Sequence, residues 1–201
     1  MPRLWTDTVE SHRQEVREAI LDAAGELAAG RGLLAVSMSA LADAAGIGRA
    51  TLYKYFGDVE EVLVAWHARE VSTHLARLAA LAAGPGEPAA RLRAVLEAYG
   101  EICRLRARHG GEALAAALHG PPSGGQHPEE QLRDLVTGLV AESAAAGVVR
   151  PDVPAEVLAS FCVAALSAAG RPPAPPAVTL VDLVWSAFRA GGNVADGKVA
   201  D

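Results

Sequence analysis

The chain has 201 residues, and 51% of them are hydrophobic, so it can bury a substantial core. Its formal net charge of −6 argues against non-specific binding to polyanions but leaves room for a local basic surface. Two cysteines, Cys103 and Cys162, exclude a disulfide framework, and we interpret both as buried thiols. Alanine and leucine dominate and the alternation typical of β-strands is scarce. The predicted fold class is therefore all-α, with about nine helices.

The first predicted helix starts near Ser11, which forms a capping-box pair with Gln14, and it ends at Gly30 and Gly32. Before it, residues 1–10 are expected to form a disordered arm.

The segment 37–56 holds the most informative pattern in the chain. Four apolar residues fall on one helical face at the spacing i, i+3, i+4 and i+7: Met38, Leu41, Ala42 and Ala45. Ser37 is placed to cap this helix, and Gly46 to end it, because glycine tolerates positive φ. Gly48 then opens a second predicted helix, which runs from Arg49 to Phe56. The pattern indicates two short helices joined by a tight turn.

The second of these helices has two different sides. Its outer sector, about 140° wide, carries Arg49, Ala50, Tyr53 and Lys54, whereas Leu52, Tyr55 and Phe56 point the other way. An arginine can reach the O6 and N7 atoms of guanine in the major groove of DNA, and lysine and hydroxyl groups suit phosphates. No acidic residue occurs in the segment 45–57. The pattern favours a DNA-binding helix; the alternative is an ordinary helical hairpin with a solvated charged face.

The run GIGRATLYKYF at 46–56, together with Ser37, Leu41 and Ala42 upstream and Glu60, Glu61 and Leu63 downstream, resembles the signature of the TetR family of bacterial transcriptional regulators. The resemblance implies a homodimeric, ligand-responsive protein, usually a repressor, that binds an operator in double-stranded DNA. It also implies the roles of individual residues: bases would be faced by Ser39, Arg49, Ala50 and Tyr53, and the DNA backbone by Ser37, Thr51, Lys54 and Tyr55.

One position departs from the family pattern. The family often has a phosphate-contacting lysine near the start of the fourth helix, where this chain has Val59. Arg3 and Arg13 could supply a further contact from the N-terminal arm, although solvated charge is the simpler interpretation of Arg3.

We expect three regions: a three-helix helix-turn-helix DNA-binding domain at 1–57, a helical ligand-binding and dimerisation domain at 58–190, and a disordered tail at 191–201. Asp58 and Glu61 have the spacing of a cap for a long fourth helix. Glycine- and proline-rich breaks then separate the remaining predicted helices, which lie near 89–108, 112–119, 129–146, 155–169 and 179–190.

Two further surfaces follow from the family resemblance. The last two helices would form a four-helix interface with a second copy of the chain, through Phe161, Ala165, Leu183, Trp185 and Phe188. A small-molecule pocket would be lined by Trp66, Tyr99, Ile102, Cys103, Leu118, Leu139 and Phe161. Such a pocket would be mostly apolar and would favour a hydrophobic or aromatic effector. In both sets, the alternative is that the residues only complete the core.

The sequence carries no motif of a catalytic site or of a phosphate-binding loop, and His67 and His74 have no evident partners for a metal. We therefore expect no enzymatic activity, cofactor or metal. We also expect a cytoplasmic protein without a membrane partner, because the longest apolar run is too short to cross a bilayer. The leading hypothesis is a repressor that is released from a palindromic operator by its effector. The alternative is a helical small-molecule-binding protein without operator-specific DNA binding, and an all-α enzyme or structural adaptor has the least support.

Overall fold

The computed structural model describes residues 3–108, 127–171 and 176–188. These ranges contain eight α-helices and two short 3-10 turns, at Leu33–Ala35 and Ala168–Gly170, and no β-strand, so the all-α prediction is confirmed for them. The helices are α1 (Arg3–Arg31), α2 (Met38–Ala44), α3 (Arg49–Leu52), α4 (Val59–Ala82), α5 (Pro88–Arg108), α6 (Pro128–Ala145), α7 (Ala155–Ser167) and α8 (Ala177–Phe188). The helix predicted at 112–119 and the tail predicted at 191–201 lie outside the described residues.

Helix α1 begins at Arg3, so the prediction of a disordered arm was wrong for residues 3–10. Nothing in that stretch breaks a helix, and Ser11 lies inside the helix instead of capping it. Its hydroxyl donates to Glu15, one turn later, at 3.4 Å. The helix ends at Arg31, and Gly32 follows with a φ of +80°, in the region that favours glycine.

The chain divides into two compact units by its internal contacts. Within the described residues, the first unit comprises 3–72 and the second comprises 73–108, 127–171 and 176–188. Helix α4 contributes to both, since the division falls after Ser72. The functional boundaries expected after residues 57 and 190 stay predictions.

The core of the first unit is formed by α1, α2, α3 and the start of α4. Its most deeply buried side chains are Ile20, Leu21, Ala24, Leu41, Ala42, Leu52, Phe56 and Val62. These residues come from every helix of the unit, so each of the short helices is held by packing and not by its own propensity.

In the second unit, α5 packs against α6, α7 and α8. The shared core includes Leu92, Val95, Leu96, Val136, Leu139, Val140, Cys162, Leu166, Val181, Val184 and Phe188. Gly100 permits the close approach of α5 to α8, because a β-carbon at this position would lie 2.9 Å from the β-carbon of Ala177. Outside the core, Arg91 pairs with Glu142 and Arg93 pairs with Asp182, each at 2.5 Å.

Candidate nucleic-acid interface

Helix α2 is bounded as its sequence predicts. The Ala40 N–H donates to the Ser37 hydroxyl oxygen at 3.3 Å, which caps the first turn. At the other end, Gly46 has a φ of +66°, and the Ile47 N–H donates to the Ala42 carbonyl at 3.0 Å. The predicted cap and the predicted glycine turn are therefore both confirmed. Because the Ser37 oxygen accepts the capping bond, its O–H remains able to donate outward.

Helix α3 is shorter than predicted. The α-helix ends at Leu52 instead of Phe56, and the residues after it form a tighter turn. In that turn, the Lys54 N–H donates to the Thr51 carbonyl at 3.0 Å and the Tyr55 N–H to the Leu52 carbonyl at 2.9 Å. Such i to i+3 bonds commonly tighten the end of a helix. In this chain, the two bonds lie just before the turn that leads into α4.

The two sides of the α3 segment differ as expected. Leu52 and Phe56 are buried in the first core, and Tyr55 is half-buried against it. The four residues that were predicted to face outward are all exposed: Arg49, Ala50, Tyr53 and Lys54. Ser37 and Ser39 are also exposed at the start of α2, and Thr51 is half-buried.

The two cations on this surface are available to a ligand. Neither Arg49 nor Lys54 forms an ion pair or a side-chain hydrogen bond with any residue that the structure describes. Binding a phosphate or a guanine edge would therefore require no internal bond to be broken. The arginine, the phenol and the ammonium group thus form a compact exposed surface above the buried side chain of Leu52.

Helix α1 makes two contacts with later parts of the first unit that local sequence patterns do not predict. The Arg17 guanidinium lies over the Phe56 ring, 5.0 Å from its centroid. Farther along, Arg69 of α4 pairs with Glu18 at 2.8 Å and with Asp22 at 2.9 Å. The spacing of Glu18 and Asp22, four residues apart on α1, is the only sequence signal for the second contact, and it does not identify the partner.

The start of α4 is capped as predicted. The Glu61 N–H donates to the Asp58 carboxylate at 2.8 Å, and the Gly57 N–H donates to the Glu61 carboxylate at 2.6 Å. Val59, which stands where the family often has a lysine, packs partly buried against the first core. Val59 therefore contributes to the packing of the first core, and its uncharged side chain can form no ion pair with a phosphate.

The residues predicted to line a pocket are divided between the two units. Trp66 lies in the first unit, where its indole nitrogen would be 3.0 Å from a β-carbon on Gly25. With Asp22, Glu26 and Arg69, it borders a cleft of about 440 Å³.

The remaining pocket candidates belong to the second unit, except Leu118, which is outside the described residues. Ile102, Cys103 and Leu139 are buried, and Tyr99 is half-buried with its phenol hydrogen-bonded to Cys103. Burial raises the pKa of the Tyr99 phenol. Burial also raises the pKa of the Cys162 thiol to about 12, as befits an inert core cysteine.

The candidates for a dimer interface differ in exposure. Phe161 is 48% exposed and Leu183 is 62% exposed, whereas Ala165 and Trp185 are half-buried. Phe188 is buried in the core of its own chain, next to Trp185.

Two further apolar residues on the same helices are exposed, Val157 at 56% and Val178 at 50%, and neither is among the predicted interface residues. Val157 lies four residues before Phe161, so the two share one face of α7.

Neither a metal site nor a membrane-spanning helix is found in the described part of the chain. It contains no group of three or more histidine, cysteine, aspartate or glutamate residues that could hold a metal. Among the same residues, no helix has the length and apolar character needed to span a bilayer.

Residues 20–66 match the family model of bacterial regulatory proteins, tetR family. Over 124 residues, the chain is 35% identical to an uncharacterised HTH-type transcriptional regulator of Mycobacterium tuberculosis. This match covers 60% of the chain and 59% of the relative, so the chain spans less than two-thirds of the length of that protein.

Solved structures share the fold. A transcriptional regulator of the TetR/AcrR family from Thermobifida fusca has a TM-score of 0.69 and 24% identity, over 88% of this chain and 98% of that one. The TetR transcriptional regulator SCO0520 from Streptomyces coelicolor has a TM-score of 0.61 and 27% identity, over 87% and 98% of the two chains.

Proposed function

Since the chain belongs to the tetR family of bacterial regulatory proteins, we propose that it is a repressor that binds a palindromic operator in double-stranded DNA as a homodimer and is released by a small hydrophobic effector. The observation that carries this proposal is the exposed group of Arg49, Ala50, Tyr53 and Lys54 over the buried Leu52.

The proposed reading of DNA follows from the chemistry of this surface. Arg49 would bind a guanine edge in the major groove, and the small side chain of Ala50 would let the backbone of α3 approach the bases. Tyr53 and Ser39 would complete the base contacts. The groups proposed to fix the register on phosphates are Ser37, Thr51, Lys54 and Tyr55.

The proposed homodimer supplies two copies of this surface. A palindromic operator presents two half-sites about 34–36 Å apart, one helical turn of DNA, and each would take one α3 segment. The exposed apolar side chains of Val157, Phe161 and Leu183 support an interface that includes α7 and α8, because a monomer would leave them in water.

The proposed effector acts through its difference in affinity for the DNA-bound and DNA-free states, since a ligand that binds both states equally shifts nothing. A fold neighbour, AibR, was solved in complex with isovaleryl coenzyme A and operator DNA. It has a TM-score of 0.61 and 18% identity, over 87% of this chain and 98% of that one. A protein of this fold that binds both a small molecule and operator DNA supports the proposal that the present chain responds to an effector.

Selection of bound duplexes from a random DNA library tests the proposal. We expect enrichment of a palindrome whose half-sites are about one helical turn apart. The Arg49→Ala variant should bind the selected duplex more weakly and tolerate other bases at one position of each half-site. Arg77→Ala, which removes an exposed arginine of α4, is the matched control. Failure to enrich any sequence, or enrichment of a site without two-fold symmetry, would contradict the proposal.

A further inference from the structure

Among the described residues, Arg106 is a half-buried arginine of the second unit that forms no ion pair. Four other arginines of the unit pair with a carboxylate: Arg91, Arg93, Arg104 and Arg150. The Nε atom of Arg91 is also buried without an acceptor, but the Arg91 guanidinium is held through its other nitrogen atoms by Glu142 and the Ala82 carbonyl. Arg106 forms no ion pair or hydrogen bond with any residue in the described ranges, and its Nε atom is buried without an acceptor. A buried N–H of a charged group that lacks an acceptor is costly, so it indicates a position that a ligand could complete.

The position of Arg106 on α5 strengthens this interpretation. Leu92, Val95, Tyr99, Ile102 and Arg106 follow one another at intervals of three or four residues and so share one face. Leu92, Val95 and Ile102 are packed in the core of the second unit, and the half-buried Arg106 continues the same face beyond them. The Arg106 guanidinium therefore lies beside packed apolar side chains, where its attraction for an anion is screened less than at a fully exposed site.

Tyr99 supplies a second polar group on the same face. Its phenol lies close enough to Arg106 for the two to interact electrostatically, and it is also hydrogen-bonded to Cys103. The neutral phenol keeps an O–H that can donate to an oxygen atom. The exposed carboxylate of Glu129, at the start of α6, also acts on Tyr99 and is the nearby charge that would oppose an anion.

We propose that Arg106 and Tyr99 bind the oxyanion head of the effector, so that the small hydrophobic effector of the proposed function carries a carboxylate or a similar acidic group. This inference names the ligand class of the proposed function and rests on that function for its regulatory meaning. Arg106 supplies the charge and the fixed donors, and Tyr99 supplies one further hydrogen bond.

Two fluorescent probes of similar apolar bulk test this inference on the full-length protein. The first, 1-anilinonaphthalene-8-sulfonate, carries an oxyanion, and the second, N-phenyl-1-naphthylamine, is neutral. Arg106→Gln should weaken binding of the sulfonate about 10- to 100-fold, the range expected for a lost charge-assisted hydrogen bond, and should leave the neutral probe within about twofold. Arg106→Lys should recover part of the sulfonate affinity.

Arg104→Gln is the matched control, because Arg104 lies on the same helix but already pairs with Glu101. It should change neither probe. Unchanged neutral binding by Arg106→Gln also demonstrates that the variant is folded. Equal loss of both probes, no loss of either, or no sulfonate binding by the unmodified protein would overturn the inference.

The probe measurements need no DNA, so their outcome is independent of the operator selection. Failure to find an operator would remove the regulatory role and leave an anion site in place. An operator that is bound normally, combined with equal probe affinities in Arg106→Gln and the unmodified protein, would remove only the anion site.

Discussion

The Arg17 guanidinium lies 5.0 Å from the centroid of the Phe56 ring and joins α1 to the residue that ends the α3 turn. Phe56 is buried in the core of the first unit, so Arg17 covers part of a ring that otherwise packs against that core. A cation over an aromatic face contributes about 0.5–1 kcal/mol when it remains partly exposed. The contact therefore helps to hold the end of the proposed DNA-reading segment.

Replacement of Arg17 by glutamine should lower the free energy of unfolding by about 0.5–1 kcal/mol, because the cation–ring attraction is lost while the helix is kept. Urea denaturation measures the change. Arg13→Gln is the control, since Arg13 is exposed on the same helix. Equal stability of the two variants would show that the contact contributes nothing.

The pairing of Arg69 with Glu18 and Asp22 should stabilise the first unit in a salt-dependent way. Asp22→Asn should lower the free energy of unfolding by about 1 kcal/mol or less, since the carboxylate is mostly exposed. The loss should shrink in 1 M NaCl, where charges are screened within about 3 Å. Glu26→Gln, on the same helix and at the same cleft, is the control. A loss that does not depend on salt would argue against an electrostatic origin.

Gly100→Ala should destabilise the second unit, although alanine is the better helix former. The new β-carbon would meet the β-carbon of Ala177 at 2.9 Å, and Ala177 cannot rotate away because that atom is fixed to its backbone. Overpacking of this kind costs about 1–3 kcal/mol, which exceeds the gain of about 1 kcal/mol in helix propensity.

Gly138→Ala is the matched control for this prediction. Gly138 lies inside α6, and a β-carbon there would meet nothing within 4 Å. It should raise the free energy of unfolding by about 0.5–1 kcal/mol. Thermal or urea unfolding of the two variants should therefore shift in opposite directions, and a shift in the same direction would contradict the packing argument.

Lys54→Ala and Arg49→Ala should affect DNA binding differently. Loss of a lysine from a phosphate should weaken binding to all sequences alike and reduce the slope of log K against log salt by about 1. Loss of an arginine from a guanine edge should cost about 1–3 kcal/mol and relax the preference at one base pair. Titration of each variant against selected and altered duplexes at several salt concentrations separates the two patterns. Identical patterns would show that the roles of these residues are assigned wrongly.

The Cys162 thiol should resist labelling in the folded protein. Its pKa is raised to about 12 by burial, so the reactive thiolate is scarce near pH 8 and is also shielded from reagent. In a Cys103→Ser variant, in which Cys162 is the remaining cysteine, iodoacetamide should label the protein rapidly in urea and very slowly without it. Rapid labelling under native conditions would contradict the buried assignment.

Much of the proposed interface could be predicted because local chemistry determines it. Ser37 caps α2, Gly46 adopts positive φ, and Asp58 with Glu61 begins α4, and each of these features depends on a few neighbouring residues. The outward direction of Arg49 and Lys54 follows from helical periodicity with Leu52 as the buried reference.

Features that depend on distant residues were not predictable in this way. The Ser11 cap is an exception, because the helix-permitting residues just before Ser11 are local and indicate a helix interior. The partners of Arg17 and Arg69 lie far along the chain. Periodicity alone decides between the two predicted roles of Leu183, an interface residue or a core residue. Val181, Val184 and Phe188 share the buried face of α8, which leaves Leu183 on the exposed side.

The last helix of the described chain completes the second unit both by its side chains and by its final carbonyl, because the Arg150 N–H donates to the Phe188 oxygen at 2.9 Å. During synthesis on the ribosome, α5 therefore emerges long before the helix that covers it. Until α8 leaves the exit tunnel, the nascent chain must carry an apolar surface around Gly100 and Leu166 uncovered. We expect the nascent chain to depend most on chaperones during this interval.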